Sequence, residues 1–221
     1  MTVSSAPVLP PPPTPAAGAG PTSELGRTGF RYLNRWFMVP IHRAGLAAWL
    51  GTPLTGWQLL LTTTGRHSGL PRPTPLGYLV ADGAAWVLAG FGPSTLWYRN
   101  LLAEPRVEVL MPARQPFQAL AEEVVDPVVR ARIIPPLVRT MRLPGATIGS
   151  DPATTSDERI LVLLSRVPLV RLSPVGPALV AGADDPGGLG WVWRQTVAAV
   201  ASLVLLVLLR LLLRRSPSEP G

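Results

Sequence analysis

Residues Leu59 to Tyr78 read LLLTTTGRHSGLPRPTPLGY, and the division of this stretch decides the fold. Leu59 to Thr64 is a short apolar run closing in three threonines, the pattern of a buried strand. Gly65 breaks that pattern, and Ser68, Gly69 and Pro71 supply turn chemistry. From Arg72 the chain becomes strand-like again through Leu79 and Val80. The spacing therefore predicts two strands joined by a glycine-bearing connection over Thr64 to Arg72. That connection carries Arg66, His67 and Arg72, with Thr62, Thr63 and Thr64 on its upstream shoulder. Backbone N–H groups freed at a turn and flanked by guanidinium groups suit a phosphate or carboxylate. An ordinary polar hairpin loop has the same composition, so the loop alone leaves both readings open.

Outward from this stretch, more strands follow. Gly56 to Thr64 and Arg72 to Ala81 flank the loop, and Ala84 to Phe91 follows a hairpin turn at Asp82-Gly83. Pro93 and Ser94 open a short helix over Thr95 to Ala103, with Ser94 as the expected N-cap and Pro105 closing it. Arg106 to Met111 and Phe117 to Val125 read as two strands. Asp126 caps a helix that starts at Pro127, where proline is tolerated, and Pro135 and Pro136 are expected to interrupt it. The segment from there to Ser150 is loop-rich. Thr155 and Glu158 form a capping box before Arg159 to Ser165, read as helix with a buried strand as rival. A strand over Pro168 to Leu172 ends the domain. Six short strands with helices inserted between them predict an α+β fold with a barrel-like sheet.

The flanks differ from this core. Residues 1–21 are rich in Pro, Ala and Ser, read as a disordered tail without the basic start or apolar core of a secretory signal. Ser23 to Leu50 is helix-patterned, with Leu25, Phe30, Leu33, Phe37 and Ile41 on a rough face and Arg27, Arg31 and Arg35 on another. Pro40 is expected to divide it in two. With Trp36, Phe37 and Trp49, this segment either lies in a membrane interface or packs on the barrel. Beyond Pro174 comes a linker, 175–190, bearing Gly and Asp, and then an apolar helix over Trp191 to Leu213. At about 1.5 Å per residue it measures about 34 Å, against a bilayer core of about 30 Å. Arg194 and Arg210 lie near its ends, where arginine can snorkel, and Trp191 and Trp193 sit at the position of an aromatic belt. The expected organisation is a tail (1–21), a barrel domain (22–174), the linker, a transmembrane helix (191–213) and a short basic tail (214–221). A buried helix of a soluble oligomer is the alternative to a span.

Composition narrows the partners. The 221-residue chain has no cysteine, which excludes thiol chemistry and a disulfide framework. Net charge is +7, and all 20 basic residues are arginine, which grips planar oxyanions bidentately and never loses its charge. Anionic small molecules and anionic lipid are natural partners. No nucleic-acid motif is present and the aromatics do not interleave with basic residues, so no nucleic-acid partner is expected. His42 and His67 lie apart from any second ligand set, and there is no P-loop, GxGxxG or Ser-His-Asp signature. Redox chemistry would need a borrowed cofactor.

Leu59 to Arg72, read as LLLTTTGRxSGxPR, resembles the signature of the deazaflavin (F420)-dependent nitroreductase and quinone reductase family. Leu96 to Val109, LWYRNLLAEPRVEV, resembles that family's second block, and the Asp82-Gly83 turn falls between the two as it does there. The resemblance spans Asn34 to Pro174 and implies a split β-barrel of FMN-binding type, with coenzyme F420 as cofactor. It implies that Arg66, Ser68 and Arg72 hold the cofactor's phosphate and carboxylate tail, aided by His67 as a donor. Thr63, Thr64, Gly65 and Gly69 match its backbone cradle. Pro75, Leu76 and Tyr78 would flank the ring, and Leu96 and Trp97 would pack on its edge. Tyr98 and Asn100 are read as braces for their helix. The chain departs from the family at His67 and Leu70, where basic or polar residues are usual. It departs again at Gly90 and Phe91, where a serine is common, and over Arg139 to Asp157, which has no aromatic residue.

These features imply a membrane-anchored reductase passing hydride from reduced F420 to a quinone, nitro compound or other apolar acceptor. The alternatives are an FMN enzyme of the same fold, or a non-catalytic module binding cofactor or lipid. The charges around the last helix conflict on sidedness. Arginines after it favour a cytosolic C-terminus, whereas a deazaflavin pool places the domain itself in the cytosol. The expectation is a cytoplasmic domain on a single C-terminal anchor.

Overall fold

The computed structural model describes residues 32–50, 56–112, 115–140, 151, 154–179 and 190–214. The expected tail (1–21), the first part of the N-terminal helix, the loop at 141–150 and most of the linker lie outside these residues.

Six strands close into an antiparallel barrel in the order β1-β2-β3-β6-β5-β4. They are β1 Gln58–Thr64, β2 Pro71–Ala81, β3 Ala84–Leu88, β4 Arg106–Leu110, β5 Phe117–Glu123 and β6 Leu169–Pro174. Closure pairs β1 with β4, so Thr62 faces Glu108. The β2–β3 turn has left-handed backbone at both Asp82 and Gly83, φ 52° and 73°. That conformation matches the twist of a two-residue hairpin, which is why an Asp-Gly pair is found there.

The barrel has two cores. Inside are Leu59, Leu61, Tyr78, Val80, Val87, Val107, Val109, Val170 and Leu172, from alternate strand positions. Helix α3 (Leu96–Ala103) plugs this interior with Trp97, Tyr98 and Leu101. Outside, Trp86, Leu88 and Leu169 are covered by α4 (Pro127–Thr140) and α5 (Asp157–Leu163). Strand β3 is therefore buried at every position, having a core on each face.

Four local expectations are corrected. Helix α4 runs through Pro135 and Pro136 without interruption. An internal proline costs about 3 kcal/mol or more. Burial of Ile133, Ile134, Leu137 and Val138, at about 1.5–3 kcal/mol each, offsets it. Asp126 caps α4 as expected, its Oδ1 accepting from Val128 N–H at 2.8 Å. Arg130 then ties α4 to the end of α5, its Nη2 donating to the Leu164 and Val167 carbonyls at 3.0 Å each. The α5 piece is helix and not strand, but its cap is Ser156, whose hydroxyl accepts from Arg159 N–H, one residue on from Thr155. The N-cap of α3 is Thr95 in place of Ser94, with its hydroxyl turned back to the Gly92 carbonyl.

The fourth correction concerns Pro40. It sits in the first turn of α1 (Val39–Arg43), directly after a π-helical stretch over Asn34–Met38. The chain divides instead at Gly45 (φ 72°), before α2 (Ala47–Leu50). The buried His42 donates from Nδ1 to the Met38 carbonyl at 2.8 Å, and its Nε2 lies 3.3 Å from the Gln58 carbonyl, bringing α1 against β1. Tyr32, Leu33, Trp36 and Phe37 remain exposed. The last helix, α6 (Gly190–Arg214), leaves the barrel with its apolar side chains uncovered. It meets α2, where Gln195 Nε2 donates to the Trp49 carbonyl.

Candidate functional site

The β1–β2 connection folds into a closed turn. Gly65 N–H donates to the Leu70 carbonyl at 2.9 Å, and the Gly65 carbonyl accepts from Ser68 N–H and Gly69 N–H at 3.1 and 2.7 Å. Gly65 is buried under the turn, where an added Cβ would lie 2.7 Å from Ser68 Oγ and 3.2 Å from the Leu70 carbonyl. Gly69 has φ +65°, a conformation that side-chain-bearing residues rarely adopt, and faces open space.

Two arginines are held on this turn by neutral acceptors. Ser68 Oγ accepts from Arg72 Nη2 at 3.3 Å. Asn100 Oδ1, from α3, accepts from Arg66 N–H at 3.3 Å and Arg66 Nη1 at 3.5 Å. The same Asn100 donates through Nδ2 to Thr63 Oγ1 at 3.2 Å, and Thr63 Oγ1 donates to the Arg72 carbonyl at 3.5 Å. Asn100 is buried among these partners. The ion pairs of the described residues are Arg132–Asp82 and Arg139–Asp157, so neither Arg66 nor Arg72 is neutralised by a carboxylate there. An electropositive turn of this kind suits a multiply charged oxyanion.

The structure therefore gathers Thr63, Thr64, Gly65, Arg66, His67, Ser68, Gly69 and Arg72 at one place. His67, Ser68 and Gly69 are exposed. It distributes the remaining expected residues differently. Tyr78 lies six residues from Arg72 along β2, about 20 Å at about 3.3 Å per residue. It is 0% exposed inside the barrel and presents no surface to a ligand. Trp97 is also interior, at 6.2 Å edge-to-face with Tyr98, whereas Leu96 beside it is exposed. Pro75 is buried and Leu76 half-buried. Tyr98 donates to Glu123 Oε2 at 2.5 Å; burial first, and then this bond, push its phenol up to about 12. It stays protonated at neutral pH and cannot act there as a general base. Asn100, expected to brace its helix, holds Arg66 of the loop as well. The two lie 34 residues apart, and nothing local in the sequence signals the contact.

The candidate site is thus a cationic glycine turn at the rim of a closed barrel plugged by a helix. Residues 39–141 match the model of the F420H(2)-dependent quinone reductase family. That match covers 103 of the chain's 221 residues, and what it supports is an F420-dependent oxidoreductase. Among solved structures, an F420-H2 dependent reductase is 22% identical, with 52% of this chain and 93% of that one covered at a TM-score of 0.38. A conserved hypothetical protein from Mycobacterium tuberculosis is 20% identical (63% and 91% covered, TM-score 0.42). The heme storage protein HutZ from Vibrio cholerae is also 20% identical (59% and 89% covered, TM-score 0.39). The residues present fit an anionic cofactor tail: the turn combines permanent cations, hydroxyls and an open glycine, with no paired carboxylate among the described residues.

Proposed function

We propose that the protein is a membrane-tethered F420-dependent reductase whose acceptor is a quinone or another apolar molecule. The observation that carries the reading is the joint presence of the uncompensated cationic turn and the uncovered helix α6. In this reading Arg66 and Arg72 grip the anionic tail of the cofactor, with Ser68, His67 and Thr64 as further donors. Gly65 and Gly69 keep the backbone close, and Asn100 holds Arg66 and Thr63 in register. Leu96 and Leu76 offer apolar surface for the ring edge. The chemistry that bound F420 supplies is hydride transfer to the acceptor. No side chain described here is needed as a redox centre, so the chain's own task is to bind, orient and exclude water.

Helix α6 contains a stretch, Val192–Leu211, with mean hydropathy 1.9 and none of it buried. Its 20 residues would measure about 30 Å, the thickness of a bilayer core. An apolar acceptor dissolved in the bilayer would then meet a reductase fixed at its surface. The barrel domain (22–174), linker (175–190) and span (191–213) follow from this reading, with the barrel on the cytosolic side where a deazaflavin pool resides. Two measurements test it. Reduced F420 should raise the melting temperature of the purified chain and be oxidised on adding menadione; stabilisation by FMN in its place would sink the cofactor assignment. Removing everything after Pro174 should convert carbonate-resistant membrane association into soluble protein. Truncated protein that still sediments with membranes would move the anchor to the aromatic N-terminal helices.

A further inference from the structure

The N-terminal helices present two unlike sides. Met38, Val39 and Ile41 are half-buried and His42 and Ala47 buried, which marks the side that meets the barrel. His42 Nε2 lies 3.3 Å from the carbonyl of Gln58, the first residue of β1. The other side carries Tyr32, Leu33, Trp36, Phe37, Leu46 and Trp49, all exposed, Trp36 at 71%. Tyr32 and Leu33 lie one turn before Trp36 and Phe37, so the four share a side of their helix. The root of α6 adjoins this surface, because Gln195 Nε2 donates to the Trp49 carbonyl. Where the two helices meet, Arg194, Gln195, Val197 and Ala198 are half-buried, whereas every residue from Ala199 to Leu211 is exposed. Trp193, at the same root, is 72% exposed.

Composition and charge say what covers this surface. Tyrosine, tryptophan and phenylalanine beside the root of an apolar helix match a bilayer interface, where amphipathic rings settle at headgroup level. From Leu25 to Ala81 the sequence has no Asp or Glu, while residues 32–50 include Arg35 and Arg43, of which Arg43 is exposed. Arg194 adds a cation at the start of α6. Cations without carboxylates beside them are drawn to anionic headgroups. A second copy of the chain would bring the same arginines face to face, and like charges oppose that contact. The surface also has a fixed place on the barrel. Gln58 and Thr64 are the ends of β1, six residues and about 20 Å apart at about 3.3 Å per residue. The aromatic surface sits at the Gln58 end and the cationic turn at the Thr64 end.

We infer that the N-terminal helices are a second, peripheral membrane contact, with Tyr32, Trp36, Phe37 and Leu46 resting among the headgroups of an anionic bilayer beside the root of α6. The inference rests on the reading of α6 as a span, and it adds what a single helix on a linker does not supply, an orientation. Two attachments at the Gln58 end of β1 hold the cationic turn away from the lipid. Arg66 and Arg72 are then left to anions in solution and not drawn to lipid phosphates. A surface contact of this kind is stripped by carbonate, so the expected result of removing α6 is unchanged.

The chain has no cysteine, so single-cysteine variants of the full-length protein can each carry one environment-sensitive fluorophore. The variants are Phe37→Cys and Leu46→Cys on the aromatic surface, Leu205→Cys in α6 and Ser68→Cys on the turn. They are placed in vesicles of phosphatidylcholine and phosphatidylglycerol containing spin-labelled lipid as quencher. Labels at positions 37 and 46 should be quenched by a nitroxide at headgroup depth, the label at 205 by one deep in the acyl chains, and the label at 68 by neither. Leaving out phosphatidylglycerol should reduce quenching at 37 and 46 and not at 205. Quenching at 205 without quenching at 37 or 46 overturns the peripheral contact and leaves the span standing. Absence of quenching at 205 overturns the span, and this inference with it. Blue-shifted emission at 37 and 46 that no lipid quencher reaches overturns the lipid assignment in favour of a protein partner or a second copy. Quenching at 68 overturns the orientation.

Discussion

The β1–β2 and β2–β3 connections use the same materials and treat charge in opposite ways. Each has a glycine with left-handed backbone, Gly69 and Gly83, and each has arginine within reach. At the short turn, Arg132 from α4 donates to both carboxylate oxygens of Asp82, at 3.0 and 2.5 Å. This hydrogen bond holds the Asp82 carboxyl below its ordinary range. At the long turn the arginine side chains meet, among the described residues, a hydroxyl and an amide oxygen, Ser68 and Asn100. Neutral acceptors orient a guanidinium without cancelling its charge. One connection is closed electrostatically and ends a hairpin; the other is left positive toward solvent and can take an anion.

The largest test of this contrast removes the uncompensated charge. Arg66→Ala or Arg72→Ala should weaken F420 binding roughly ten- to a hundredfold, from loss of about 1.5–3 kcal/mol of charge-assisted contact. The melting temperature of the free protein should hardly change, because neither cation pairs with a carboxylate among the described residues. Unchanged affinity in both variants would mean that the turn is an ordinary hairpin loop.

A smaller effect on binding, joined to a loss of stability, is expected at Asn100. Replacing it by alanine strips a partner from the buried Thr63 hydroxyl and from Arg66, and unsatisfied buried groups cost roughly 1–3 kcal/mol. Denaturant unfolding and cofactor titration of Asn100→Ala should therefore both move. A shift in stability alone would reduce Asn100 to a packing residue.

The smallest effect belongs to the closed turn. Asp82→Asn should leave F420 affinity unchanged and lower stability slightly, since the pair with Arg132 is solvent-exposed and screened. A carboxyl held low in the folded state contributes stability above its unfolded pKa, near 3.9, and loses it as pH falls through the folded value. The wild type should thus exceed Asp82→Asn in stability at neutral pH and converge on it in acid. A gap that persists at low pH would show that backbone strain, and not charge, distinguishes the variant.

Much of this was legible in the residues themselves. Alternation along β4 and the apolar run of β1 located strands, because the side-chain period of a strand is a local property. The Asp82-Gly83 pair announced its hairpin, and the uncovered length of α6 is plain from hydropathy. Misreadings arose where local rules met tertiary burial. Two prolines should end a helix, yet the apolar face of α4 beneath them binds the barrel strongly enough to carry the helix through. Tyr78 is placed by the same even spacing as Leu76, but barrel closure encloses the one and leaves the other half open.

The amino-acid sequence by itself determined the order and type of the elements, the cationic glycine turn and the apolar last helix. These depend on neighbouring residues and on composition, so they can be read without knowing what packs where. Only the tertiary structure decided that Asn100 reaches Arg66 and Thr63, and that Arg106 and Glu108 stand beside Thr62 and Gln118. Those contacts join residues 10 to 46 positions apart through the closing of β4 onto β1 and the seating of α3 in the barrel mouth. No spacing along the chain encodes them, because which strands become neighbours is settled by burying both faces of the sheet at once.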